Sequence, residues 1–286
     1  MAPPQYVCLS LGVMLSITGR AAVPEPGPSP APVSDPLRSV ISSTERAALA
    51  RAVEQAMEFR DSYDRLPHHG HEWAEMLAQE EWGTLRHRIY PHIGHGPANR
   101  RWVSLTFDDG PDPAVTPKVL DALRAAGVKA TFFLVGRKAE RYPDLVRRIV
   151  AEGHALGNHS YDHLYLTRIP PESARVELDA CSKIIQAITG HPPRYYRPPG
   201  GHFDRILVGI GQQLHMLLVT WTFSPGDYAD PPPISLLEHA LRGLRPGALL
   251  IWHDDVPETA QIVPEFIREA KARGYRFVPL SEYEKS

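Results

Sequence analysis

Thr106-Phe107-Asp108-Asp109-Gly110-Pro111 decides how this chain is read. It follows a short apolar run, Trp102-Val103-Ser104-Leu105, whose length and composition predict a buried strand. Gly110 and Pro111 stop that strand and force a turn. Two adjacent carboxylates are thereby held at a strand end, where a β/α fold builds its site. Such neighbours repel unless a cation or a proton lies between them. Taken alone, the same six residues would also serve as an Asp-Gly turn with solvated acids.

Working outward, strand and helix signals alternate. Strands are predicted at Trp102–Phe107, Ala130–Val135, Ala155–Asn158, Tyr195–Arg197, Met216–Trp221, Ala248–Trp252 and Tyr275–Val278. Helices are predicted at Pro117–Ala126, Tyr142–Glu152, Pro171–Thr189, Phe203–Gln213, Ser235–Leu244 and Glu258–Arg273. Gly127, Gly153, Gly190 and Gly274 each follow a helix, where a left-handed residue commonly ends it. Seven repeats of this kind predict an α/β fold, a distorted (β/α)7-type barrel, over residues 101–286. A doubly wound open sheet is the alternative, because periodicity cannot count closure.

On that strand list the unusual polar residues fall after strand C-termini. Asp108 and Asp109 follow the first strand, His159-Ser160-Tyr161-Asp162-His163 the third, and Arg197-Pro198-Pro199-Gly200-Gly201 the fourth. Asp227 follows the fifth, and His253-Asp254-Asp255 the sixth. A barrel assembles its site at this face, from several strand ends. His159 and His163 are four apart, so a helical turn would face both imidazoles one way. Two imidazoles and a carboxylate, with one open position, suit a catalytic zinc.

The front of the chain is different. Residues 6–17 form an apolar run too short for a membrane span, and Gly19-Arg20-Ala21 offers a small-residue cleavage site. Residues 1–23 are therefore read as an export signal, although no Lys or Arg precedes the run; an extracytoplasmic location follows. The alternative is a tail or a misplaced start. Residues 24–40 are Pro-rich and predict a stiff spacer. Residues 41–100 predict a helical appendage. Ser42 and Glu45 have capping-box spacing, Leu49, Val53 and Met57 share one face, and a second helix is expected from Glu72 to about Arg88. His68, His69, His71, His87, His92 and His95 are read there as surface histidines rather than a second metal site. A net charge of −2 gives no electrostatic case for a nucleic-acid partner. Only two cysteines occur: Cys8, and Cys181, which reads as a buried apolar residue. No segment reaches transmembrane length, and the oligomeric state is not legible.

From about Arg101 to Ser281 the chain resembles the polysaccharide deacetylase family, also called carbohydrate esterase family 4 or the NodB-homology domain. The resemblance rests on Thr106–Pro111, on Gly157–His163, on Arg197-Pro198-Pro199, on Trp221–Tyr228 and on Leu250–Asp254. It implies a distorted (β/α) barrel. It also implies a divalent metal on Asp109, His159 and His163, most plausibly Zn2+, with Co2+ or Ni2+ as alternatives. The metal would acidify a water and polarise an acetyl carbonyl. Asp108 would be the general base, kept ionised by Arg197, and His253 the general acid, kept protonated by Asp227. The Gly200 N–H would donate to the oxyanion, and Trp221 and Tyr228 would contact sugar.

Two positions depart from the family. It usually carries an aromatic residue at the position of Gly200, and Trp at that of Tyr228. The expected activity is deacetylation of an N-acetylated polysaccharide or oligosaccharide, such as peptidoglycan or a chitin-like oligomer. Competing readings are an O-acetyl esterase on xylan-type polysaccharide and a catalytically silent glycan-binding protein. A phosphatase of the Asp-x-Asp type is disfavoured, since the acids are adjacent and the histidine pair would have no task.

Overall fold

The computed structural model describes residues 37, 39–63, 92–229 and 232–285. The expected export signal, nearly all of the expected spacer and the expected second appendage helix lie outside these residues. Seven strands form one sheet: β1 (Trp102–Asp108), β2 (Thr131–Leu134), β3 (Ala155–Asn158), β4 (Tyr195–Tyr196), β5 (Leu217–Leu218), β6 (Ala248–His253) and β7 (Arg276–Phe277). The order is β5-β4-β3-β2-β1-β6, and β7 pairs with β1. All pairings are parallel. Val103 to Phe107 of β1 are buried on both faces, as expected of a parallel strand covered by helices.

The sheet curls into a distorted half-barrel. The strand expected over Met216–Trp221 is only two residues long. Beyond it the chain swings away, and Phe223 makes a parallel bridge to Leu250 of β6. The Thr222 N–H donates to the Leu249 carbonyl at 2.8 Å, and the Ile251 N–H to that of Phe223 at 3.2 Å. Upstream of residue 101 the chain already belongs to the sheet, because Ile93 bridges Val219. His92, expected on the surface, is buried, its ring centroid 5.4 Å from that of Phe203.

The helices follow the predicted pattern with one addition, Gly136–Arg141, which precedes the helix Pro143–Ala151. Gly127 and Gly190 take φ of 63° and 83°, so each ends its helix in the left-handed region. Cys181 is buried, and its thiol donates to the Leu134 carbonyl.

Among the described residues of the appendage, one helix runs Ser43–Tyr63. Its capping box is formed: the Ser42 N–H donates to Glu45 Oε2 at 2.9 Å, and the Glu45 N–H to Ser42 Oγ at 3.2 Å. The buried face is not Leu49-Val53-Met57. Leu49 and Ala52 are buried and Met57 is exposed. Small residues at 52 and 56 let this helix settle closely against the helix Pro171–Thr189, which a methionine there would prevent. Leu37 and Ile41 also join the main core, so the spacer ends before residue 40.

Candidate active site

Strand register assembles the site. Asp108 stands opposite His253 of β6 and Phe133 of β2, while Asn158 stands opposite Leu134 and Tyr196. The C-terminal ends of five strands therefore lie side by side, and everything just beyond them converges. A cavity of about 330 Å³ opens there, at the small end of the range for ligand sites. Asp108, Asp109, His159, His163, Gly200, Trp221, Tyr228 and His253, all singled out from sequence, line it. Arg197 and Asp227 lie buried behind that lining.

Asp109 takes φ of 72°, a strained conformation for a residue with a Cβ, and this turns its carboxylate away from β1. The turn has no spare room, because a Cβ on Gly110 would overlap the Asp254 carboxyl. Asp254 is buried and accepts from Thr116 Oγ1 at 2.6 Å. Burial, opposed by Thr116 and reinforced by Asp255 and Asp109, pushes it up to about 7.

The two histidines do not converge through a helical turn. Residues 159–165 form an irregular loop in which Ser160 and His163 take φ of 61° and 60°. That shape is held from outside. Glu177 Oε2 accepts the N–H groups of Tyr161 and Asp162 at 3.0 and 2.8 Å, and Asn158 Oδ1 accepts that of Ser160 at 2.8 Å. The imidazoles end 5.0 Å apart between centroids. His159 Nδ1–H donates to the Arg197 carbonyl at 2.7 Å, which selects the tautomer with the Nε2 lone pair facing the cavity. Asp109 Oδ1 then lies 3.3 Å from His159 Nε2 and 3.0 Å from His163 Nε2.

This cluster fits a metal ion on its own geometry. The three ligand atoms lie within 4.8 Å of one another. Asp109 Oδ1 is buried and, despite its short approaches to both imidazoles, has no aligned hydrogen-bond donor. Burial works against the Asp109 charge, yet His159 and His163 outweigh it and hold the carboxyl well below the usual range. The donor set, two imidazole nitrogens and one carboxylate oxygen, suits zinc and neighbouring divalent ions.

Asp108 faces the other way. Arg197 Nη1 donates to its Oδ1 at 2.6 Å and to Thr106 Oγ1 at 2.9 Å. Arg197 is fully buried, and its remaining donors reach the Val219 and Thr220 carbonyls. Its guanidinium also lies 4.2 Å over the Phe133 ring. Such a buried, hydrogen-bonded ion pair fixes the Asp108 carboxylate in place.

Across the cavity, Asp227 receives three hydrogen bonds: from the His253 N–H at 2.7 Å, from His253 Nδ1 at 2.9 Å and from Thr259 Oγ1 at 2.6 Å. His253 Nε2 is left facing the cavity. Burial alone would depress the imidazole, but the charge and hydrogen bond of Asp227, with Asp109 and Asp108 beyond, raise it to about 10. Tyr228 lies edge-on to His253 with centroids 5.5 Å apart.

Sequence reading missed four contributors. Asp254 was visible only as a neighbour of His253. Glu177 carried a signal, since a carboxylate sits among Ala174, Leu178 and Cys181 on the buried face of its helix. Tyr165 and His202 line the cavity and gave none.

The family model for polysaccharide deacetylase matches residues 95–219. A peptidoglycan-N-acetylglucosamine deacetylase of Bacillus cereus is 34% identical over 191 residues, which is 65% of this chain and 89% of the relative. A chitooligosaccharide deacetylase of a Bradyrhizobium species is 33% identical over 197 residues, 64% of this chain and 90% of its own length. Among solved structures, a peptidoglycan N-acetylglucosamine deacetylase superposes with a TM-score of 0.66 at 31% identity, covering 70% of this chain and 95% of that one.

Proposed function

Given that the chain belongs to the polysaccharide deacetylase family, we propose that it is a metal-dependent hydrolase removing acetyl groups from an N-acetylated glycan, of peptidoglycan or chitin-like type. The observation that carries this reading is one cavity holding a metal-shaped triad between an arginine-paired carboxylate and an aspartate-paired histidine. Asp109, His159 and His163 would hold the ion. When bound, a zinc ion supplies Lewis acidity to the acetyl carbonyl and to water.

The remaining work belongs to side chains. Asp108 accepts a proton from the attacking water, and the hydrogen bond from Arg197 keeps that carboxylate aimed. The water oxygen bonds to the acetyl carbon, and the charge that develops on the carbonyl oxygen is met by the Gly200 N–H. The C–N bond then breaks as His253 Nε2 gives its proton to the sugar nitrogen, leaving acetate and an amine. Asp227 keeps His253 protonated until that step. An imidazole held above its ordinary range by Asp227 supports amide rather than ester cleavage, because an amine leaves poorly unless protonated. The complete set of base, ligands and acid speaks against a silent binding protein. The short apolar run at 6–17 and the Pro-rich segment after it support export to a cell-wall or extracellular substrate.

The test is to incubate zinc-loaded protein with peptidoglycan, chitin oligomers and acetylxylan and to measure released acetate. Release from the first two supports the reading. Release from acetylxylan alone, or from none, refutes it.

A further inference from the structure

The turn that carries Asp109 is gripped by a residue that the chemistry leaves unused. Asp254 follows His253 in sequence and is fully buried. Its N–H donates to the Asp108 carbonyl at 3.1 Å, one step past the last ladder pair of β1 and β6, Asp108 with His253. Its carboxyl packs against Gly110, where a Cβ would overlap both oxygens. Thr116 Oγ1 donates to Asp254 Oδ2 at 2.6 Å and itself accepts the Asp112 N–H at 2.7 Å. The residues on either side of Asp109 and Pro111 are thereby tied to the end of β6. From the other side, the Val135 N–H donates to the Gly110 carbonyl at 3.0 Å. The next residue, Asp255, pairs with Lys138 at 2.9 Å and anchors the segment to the helix Gly136–Arg141.

Two observations give this carboxyl a task. Its Oδ1 is buried with no hydrogen-bond partner among the described residues, a costly arrangement that an apolar side chain would avoid if the place only had to be filled. Asp109, in turn, takes φ of 72°, and its Oδ1 has no aligned donor. Ligating carboxylates are ordinarily steered by hydrogen bonds of their own. Here the placement of the ligand oxygen rests on the backbone beneath it. A strained turn persists only where its surroundings over-determine it, and Asp254 with Thr116 constrains this one at Asp108, Gly110 and Asp112. Resting on the metal-dependent reading above, we propose that Asp254, clamped by Thr116 and seated against Gly110, is the positioning residue that holds Asp109 in place as a metal ligand. Because Asp254 adjoins His253, the same pin registers the metal ligand against the acid.

The experiment measures zinc affinity by chelator competition, beside the thermal melt of the metal-free protein. Asp254→Ala is expected to weaken zinc binding at least about tenfold, the lower end of the scale for removing an outer-shell partner. Asp254→Asn keeps the shape and an oxygen for Thr116, and its affinity stays close to that of the wild type. Thr116→Val removes the clamp and weakens binding, whereas Thr116→Ser keeps the hydroxyl and the affinity. Gly110→Ala pushes the carboxyl aside and weakens binding too. Combined with Asp254→Ala its loss falls short of additive, because the added methyl then enters vacated space. Should Asp254→Ala fail to fold, the two Thr116 variants and Asp254→Asn decide. Zinc affinity unchanged in Asp254→Ala or Thr116→Val, even with a lowered melt, overturns the proposal, as does an equal loss in Asp254→Asn and Asp254→Ala. A wild type that binds no zinc overturns it as well. Acetate release by the wild type is read separately: its absence, with zinc affinities in the expected order, removes the deacetylase reading and leaves the role of Asp254 standing.

Discussion

Asp227→Asn isolates what the buried carboxylate does for His253. The imidazole stands at about 10 because Asp227 outweighs burial, and without any partner burial would take it below its ordinary 6.5. Replacing the carboxylate by an amide removes the charge but nearly keeps the shape. Thr259 and the His253 N–H, which both donate to Oδ2, would then face an amide in that pocket. Asp108 and Asp109 still act on the ring in the variant, so the fall is the Asp227 share alone, about 1–3 units for a close opposite charge. Acetate release from an N-acetylated oligosaccharide should therefore drop on the order of tenfold or more on the alkaline side and recover as pH falls. A cation on Asp109 cancels that residue's share, so in loaded enzyme the wild-type alkaline limb lies below 10; the displacement between the two proteins is the quantity to read. An aryl acetate, whose leaving group needs no proton, should lose far less. The assay is the pH profile of kcat/KM for both substrates with both proteins. Equal losses on the two substrates, with the alkaline limb unmoved, would show that His253 is not the acid.

Asp108→Asn should retain metal and lose at least about 100-fold in turnover, the usual scale for removing a general base; near-normal acetate release would place the base elsewhere. The double change His159→Ala, His163→Ala should abolish stoichiometric metal by elemental analysis, and undiminished metal would rule out these ligands. Glu177 is raised by burial to about 7 from 4.5, so its carboxyl destabilises the fold progressively as pH rises through that window. Glu177→Gln does not titrate, and its stability relative to wild type should grow between pH 4.5 and 7 by up to about 3 kcal/mol and then level off. A difference independent of pH in thermal melts would contradict the assignment.

Most of the fold was legible because parallel strands buried on both faces read as continuous apolar runs, and the helices between them end on glycines. Legibility failed where tertiary contacts overrule local pattern. Val219 still holds to the sheet through Tyr196 and Ile93, yet the ladder goes no further along the expected strand, because Thr222 and Phe223 are drawn to β6. The helical reading of His159–His163 had the right outcome for the wrong reason. Spacing by four brought the rings together, but through two left-handed residues held by Glu177 and Asn158, which no periodicity encodes. Met57 fell on the expected apolar stripe, while alanines form the close contact. The ionisable residues of the site were conspicuous because a core has no other use for them. Tyr165 was not, since an exposed tyrosine in a loop looks like any other.

The helix Ser43–Tyr63 lies upstream of the family match, yet it reaches the histidine loop. Arg46 pairs with Glu140 at 2.5 Å and donates to the Tyr161 hydroxyl at 3.3 Å, and that hydroxyl donates in turn to Glu140. Tyr161 is the middle residue of the five that run from one imidazole to the other. A chain trimmed to begin at residue 95 would keep every residue that lines the cavity and lose a strut beneath two of them. What the chemistry requires and what keeps it in tune thus have different borders along the chain, and a graft of the catalytic portion into another protein would have to bring this outlying helix with it.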